Sequence, residues 1–155
     1  MKRVVVRRTL HAPIERVFAA LSAYEDYAGL SGVRGARVLR YGRSRRAGVG
    51  AIREMSTTMA VFREQITGYF PPYRLDYRII GSQPRLDHGG ASVQLEELGA
   101  RTRVTWTTNL SVRLPALLGT VGTGIAAWQT RRGLRSLLAA LEDRLAATAA
   151  TPVTL

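Results

Sequence analysis

The feature that most limits the fold is a change of period late in the chain. From about residue 33 to 110, apolar side chains recur at every second position, the spacing of strands with one buried face. After Pro115 the spacing becomes helical. Leu134, Leu137, Leu138, Leu141 and Leu145 then fall on one stripe, three or four residues apart or multiples of that. Val121, Ile125 and Trp128 extend it upstream less regularly. This predicts one long helix over about 118–147. A sheet with one apolar face must bury that face, and this helix is the long apolar element available to cover it.

Within the alternating region the pattern predicts six strands, at about 33–41, 49–56, 59–69, 73–80, 89–97 and 102–110. The turns between them are "GRSRRAG", the connection near Ser56–Thr58, "FPPY", "GSQPRLDHGG" and "ELGAR". Each carries glycine, proline or small polar residues suited to turn conformations. Mostly short turns predict an antiparallel meander. An opening strand precedes it at about 3–10, and Ala12-Pro13 leads from there into a helix. Val17, Phe18 and Leu21 sit at helical spacing, and Ser22-Ala23 divides the segment into two short helices that finish near Gly29 and Gly32. The order is strand, two short helices, six strands, long helix. With 155 residues, no repeat and no linker, it reads as one α+β domain over 1–148. Residues 149–155 read as a tail.

Composition narrows the chemistry. There is no cysteine, and His11 and His88 lie far apart, so neither a thiolate nor a histidine-rich metal site is expected, and no cofactor is implied. The N-terminus lacks a signal-peptide core, and the apolar window 114–128 is too short to span a bilayer. These features predict a cytoplasmic protein. The formal net charge is +12, yet of 23 basic residues only Lys2 is lysine. Together with abundant alanine, that is the bias a GC-rich coding sequence produces. Arg43, Arg45 and Arg46 fall at a hairpin tip and read as a basic rim that would attract anionic ligands or membrane head groups. Nucleic acid is disfavoured, because Tyr41 is the one aromatic near the run and the basic positions of the last helix, Arg131, Arg132 and Arg135, lie in a short cluster.

The segments "APIERVFAALSAYEDYAGL", "GVGAIRE", "EQITGYFPPYRLDYRI" and "DHGGASVQLEELGARTRVTWT", followed by the long terminal helix, stand in a familiar order. Over about residues 3–147 the chain resembles the START-like (SRPBCC) helix-grip superfamily, and within it the polyketide cyclase/dehydrase and lipid-transport family. The resemblance implies a seven-stranded curved antiparallel sheet wrapped around the C-terminal helix. It also implies an internal cavity for a small hydrophobic molecule: a lipid, a polyketide or a related aromatic. Members of the superfamily include carriers, aromatase/cyclases, hydrolases and partner-binding modules. A cyclase- or dehydratase-type enzyme and a partner- or membrane-surface module are therefore the alternatives to simple ligand binding.

Alternation selects the side chains that face inward. Val104, Trp106, Thr108 and Leu110 share one face; so do Leu75, Tyr77 and Ile79, and Ala91, Val93 and Leu95. Phe62 and Ile66 point inward, and Glu64 lies between them on the same face. A carboxylate there is either solvated at a bulge or edge, or forms an internal polar site with Arg53 as its partner. Within "AIREM", either Ala51, Arg53 and Met55 or Ile52 and Glu54 face inward. His88, before Gly89-Gly90, reads as an exposed loop histidine, unless the glycine pair makes a bulge that turns it inward. The expected ligand-binding set is Phe62, Glu64, Ile66, Tyr77, Ile79, Val93, Trp106, Thr108, Ile125 and Trp128. If there is catalysis, the candidates are Glu64, Arg53, His88 and Tyr77, with Glu64 and His88 as an acid–base pair. Gly119, Gly122 and Gly124 mark either a flexible entrance or a plain loop before a helix starting near Ile125.

Overall fold

The structure, a computed structural model, describes residues 1–150. Strand β1 (Lys2–Leu10) leads into helix α1 (Ile14–Ser22) and a 3₁₀ helix (Tyr24–Gly29). Six strands follow: β2 (Val33–Arg40), β3 (Ile52–Thr57), β4 (Val61–Phe70), β5 (Arg74–Gln83), β6 (Leu86–Leu98) and β7 (Arg101–Val112). Helix α2 (Ala116–Ala150) closes the described chain. The strands form one antiparallel sheet in the order β1-β7-β6-β5-β4-β3-β2. This is the helix-grip arrangement that the sequence predicts. No described helix is long and apolar enough to cross a membrane.

The predicted inward faces are the buried ones. Val104, Trp106, Thr108 and Leu110 are buried, as are Leu75, Tyr77, Ala91, Val93, Leu95 and Ile66. Their cover is the second half of α2, where Leu137, Leu138, Leu141 and Leu145 are buried. Helix α1 adds Ile14, Val17, Phe18 and Leu21 to the same core. Polar ties fix α2 across the sheet edge. Glu142 accepts from Arg8 Nε at 2.7 Å and pairs with His11 Nδ1 at 3.0 Å, and Arg144 donates to the Asp26 carbonyl at 2.6 Å.

Three expectations change. Helix α2 begins at Ala116, close to the predicted start near 118, so the alternative of a loop before Ile125 falls and Gly119, Gly122 and Gly124 lie inside the helix. A Cβ at Gly119 would come within 2.8 Å of the Leu114 carbonyl oxygen, and one at Gly122 within 3.2 Å of Leu114 Cδ1. These two glycines let the β7–α2 connection fold back onto the helix. At the other end α2 runs through Ala150, so the first part of the expected tail is helical, and 151–155 lie outside the described residues. The third change is at "GSQPRLDHGG". Strands β5 and β6 extend into it, which makes His88 a strand residue.

Candidate functional site

The concave face of the sheet and the second half of α2 do not meet everywhere. Between them lies a cavity of about 80 Å³. Tyr24 and Tyr27 of the 3₁₀ helix close one side. Arg53, Glu64, Tyr77, Trp106 and Thr108 come from β3, β4, β5 and β7, and Leu134 and Leu137 come from α2. Phe62, Ile79, Leu86, Leu134 and Thr130 are only half-buried, while Tyr24, Tyr27, Glu64 and Trp106 are buried. The wall therefore has a closed polar–aromatic floor and a looser apolar side.

The floor is built around an ion pair. Facing positions Arg53 and Glu64 are register partners on β3 and β4. Arg53 Nε donates to Glu64 Oε2 at 2.9 Å, with both side chains under 8% exposed. Burial pushes the Glu64 carboxyl above the usual carboxylate range, and Arg53 partly offsets that. Burial alone would pull the Arg53 pKa down, but the Glu64 charge and the tyrosines around it raise it, so the guanidinium stays a cation. Its carbon lies 4.2 Å from the Tyr24 ring centre and 5.4 Å from that of Tyr77, both within cation–π range. Of the two alternatives for "AIREM", the inward set is Ala51, Arg53 and Met55. Glu54 faces the other way, where it is bracketed by Arg37 at 2.7 Å and Arg63 at 2.7 Å. Those two hydrogen-bonded arginines hold its carboxyl below the usual range.

The aromatic residues are positioned by hydrogen bonds. Trp106 Nε1 donates to the Tyr77 hydroxyl at 2.9 Å, and the two rings meet edge to face. The Tyr27 hydroxyl donates to the Leu21 carbonyl at 2.7 Å. Burial raises the Tyr27 pKa to about 12 and drives those of Tyr24 and Tyr77 higher still, so all three stay neutral donors. The Tyr24 hydroxyl is different: it is buried with no partner. A donor left without an acceptor costs about 1–3 kcal/mol.

His88 is turned inward by the bulge between His88 and Gly90, and it is 7% exposed. Both ring nitrogens are engaged. Nδ1 accepts from the backbone N–H of Ile79 at 3.0 Å and of Gly90 at 3.3 Å. The proton therefore sits on Nε2, which donates to Thr108 Oγ1 at 2.8 Å. The expectation of an exposed loop histidine is corrected: the ring is a clasp across β5, β6 and β7, stacked on Tyr77. It does not line the cavity, and the structure does not join it to Glu64 as an acid–base pair.

Of the ten residues expected to face a ligand, Phe62, Glu64, Tyr77, Ile79, Trp106 and Thr108 line the cavity. Ile66 and Val93 are buried in the packed core beside it. Ile125 and Trp128 are corrected outright: they are 53% and 59% exposed, because the face of α2 that meets the sheet carries Thr123, Ala127 and Leu134. The sequence reading missed Tyr24, Tyr27, Met55, Leu86, Leu110, Thr130, Leu134 and Leu137 as cavity wall. The signal for the tyrosines was present in "YEDY", since residues three apart eclipse on a 3₁₀ helix. The cavity is also smaller than a lipid or polyketide needs. At about 80 Å³ it falls short of ligand pockets, which run to roughly 300–1,000 Å³. Among the described residues no group of three or more His, Asp or Glu side chains could hold a metal ion.

A family model described as polyketide cyclase / dehydrase and lipid transport matches residues 1–146. No curated protein matches the sequence significantly. Among solved structures, a protein of Thermus thermophilus superposes with a TM-score of 0.78 at 20% identity, covering 97% of this chain and 100% of that one. The Zhui aromatase/cyclase of a Streptomyces species gives a TM-score of 0.79 at 16% identity, covering 92% of each chain. A START superfamily protein of Mycobacterium smegmatis gives 0.73 at 16% identity, covering 92% of this chain and 95% of that one. At these identities the likeness is one of fold.

Proposed function

The chain belongs to the polyketide cyclase / dehydrase and lipid transport family, and from that premise we propose that its cavity binds a small, mainly apolar, planar molecule carrying an oxygen substituent. The observation that carries this reading is the unpartnered Tyr24 hydroxyl on a wall that also holds Arg53 and Glu64. An oxygen on the guest would satisfy that donor, and the Tyr24, Tyr77 and Trp106 rings offer flat surfaces to an aromatic body. The half-buried Phe62, Ile79 and Leu86 must move outward to admit it, since the cavity measures only about 80 Å³. Binding on this reading is accompanied by opening of the apolar side, while the hydrogen-bonded floor stays in place.

The test is native mass spectrometry of freshly purified protein, followed by calorimetry with hydroxylated naphthalenes and fatty acids. A co-purifying small molecule is expected. Tyr24→Phe should weaken its binding about tenfold, the loss of one hydrogen bond. The same change should leave the empty protein no less stable, because it removes an unsatisfied group. Absence of any co-purifying molecule, together with no saturable heat from either ligand class, would overturn the reading.

A second reading, turnover of a polyketide-like guest, is favoured by the same buried pair. Arg53 is placed to stabilise an enolate oxygen, and Glu64, raised by burial, is a proton acceptor of increased basicity. Unchanged turnover after replacing Arg53, Glu64, His88 and Tyr77 one at a time would remove it.

A further inference from the structure

The first half of α2 is apolar on the side away from the protein. Leu117, Leu118, Val121, Ile125 and Trp128 recur at helical spacing and are all more than half exposed, from 86% for Leu117 to 53% for Ile125. At 100° per residue this stripe lies opposite Thr123, Ala127 and Leu134, the side turned to the sheet. Nothing in the described chain covers it. Contiguous exposed apolar surface of this kind marks an interaction site.

Charge decides the occupant. The stripe runs directly into Arg132 and Arg135, which continue the same face, and Arg131 lies beside them. The Arg132 guanidinium carbon sits 5.6 Å from the Trp128 ring centre. No Asp or Glu occurs anywhere between Glu97 and Glu142. Strand pairing adds a second observation. The antiparallel register brings the β3–β4 turn to the same end of the sheet as the start of α2, and Met59 in that turn is 64% exposed. A second copy of the chain would bring the same arginines, and its own +12 charge, against this face. That repulsion disfavours self-association. Leucine, isoleucine and tryptophan on one face of a helix, with arginines and no carboxylate, suit the boundary between acyl chains and anionic head groups.

We propose that the exposed face of the first half of α2 docks on an anionic lipid bilayer, lying in the interface with Trp128 at head-group depth. This stands independently of any guest in the cavity. The full chain should co-sediment with vesicles of equal parts phosphatidylcholine and phosphatidylglycerol, and much less with phosphatidylcholine alone. Trp128 should shift its emission to the blue on binding, and Trp128→Phe should remove that shift while the buried Trp106 still reports the fold. Val121→Glu/Ile125→Glu should abolish sedimentation. Arg132→Gln and Arg135→Gln should each weaken it roughly 5-fold. These positions are exposed, and an unchanged urea midpoint checks that each variant folds.

Failure to sediment with anionic vesicles overturns the proposal. So does sedimentation that the Val121→Glu/Ile125→Glu variant retains, since that would be attraction to the overall charge alone. A concentration-dependent dimer in sedimentation velocity, lost in the same variant and without vesicle binding, would assign the face to a second copy and also overturn it.

Discussion

At the scale of single residues, the Arg53–Glu64 pair is the costliest feature of the core. Both side chains are almost fully buried, and each is tolerated only because the other is there. Arg53→Met should therefore cost about 3–5 kcal/mol of stability, by leaving a carboxylate without its partner. Arg53→Met/Glu64→Leu should cost less than Arg53→Met alone, because it removes both charges from an apolar site. Urea unfolding of Arg53→Met, Glu64→Leu and the double variant measures this coupling. Additive losses would mean that each charge finds water when its partner is removed, and that the floor of the cavity is wetter than its burial indicates. Alternation placed Glu64 inward but gave two answers for "AIREM", because Ile52 and Met55 are equally apolar. What resolves it is register: Arg53 lies directly opposite Glu64, and Glu54 lies opposite Arg63 and Arg37, so both carboxylates are paired in only one phase.

At the scale of elements, strands were legible wherever the alternation was clean, and their ends where turn residues were dense. The reading failed at "GSQPRLDHGG" because a bulge breaks the period. Gly90 takes φ +105°, a backbone conformation that side chains disfavour, and His88 fills the gap by accepting from two backbone N–H groups. A histidine used in this way has to be neutral. Burial first, and then the charge of Arg78, lower its pKa from 6.5 to about 4. Between those values the unfolded chain takes up a proton that the folded chain refuses. The contribution of His88 is therefore complete above pH 6.5 and is lost as pH falls towards about 4. Urea midpoints of the wild type and His88→Gln, compared across that window, isolate the effect: their difference should shrink as pH drops. A constant difference would mean that the ring titrates normally and the clasp is loose. The start of α2, read as about 118 with a loop up to Ile125 as the alternative, is left open by the sequence for a related reason. Glycine lowers helix propensity wherever it occurs, and propensity carries no information on the close approach of the Leu114 carbonyl that calls for Gly119.

At the scale of the whole molecule, the order of elements was legible because one long helix and one curved sheet have few ways to cover each other. Cavity size was not, because it depends on how completely Phe62, Tyr77, Trp106 and Leu134 fill the space between them. The arginines pose the remaining question at this scale. Along the stretch 37–53, Arg37 is bound to Glu54, Arg53 to Glu64, and Arg40 to the Gly50 carbonyl. Arg46 donates to the Tyr41 hydroxyl at 2.7 Å and lies 3.7 Å from Glu25. These arginines are engaged within the chain and do not form a continuous track for phosphates. The residual charge of +12 still attracts polyanions over long range. DNA should accordingly be retained on filters only at low ionic strength and without sequence preference, with affinity no tighter than about 10 μM in physiological salt. Tight binding that persists there and discriminates between sequences would mean that the exposed arginines form a recognition surface. The basic end of that helix face would then belong to nucleic acid and not to lipid, since Arg131, Arg132 and Arg135 suit phosphates of either kind.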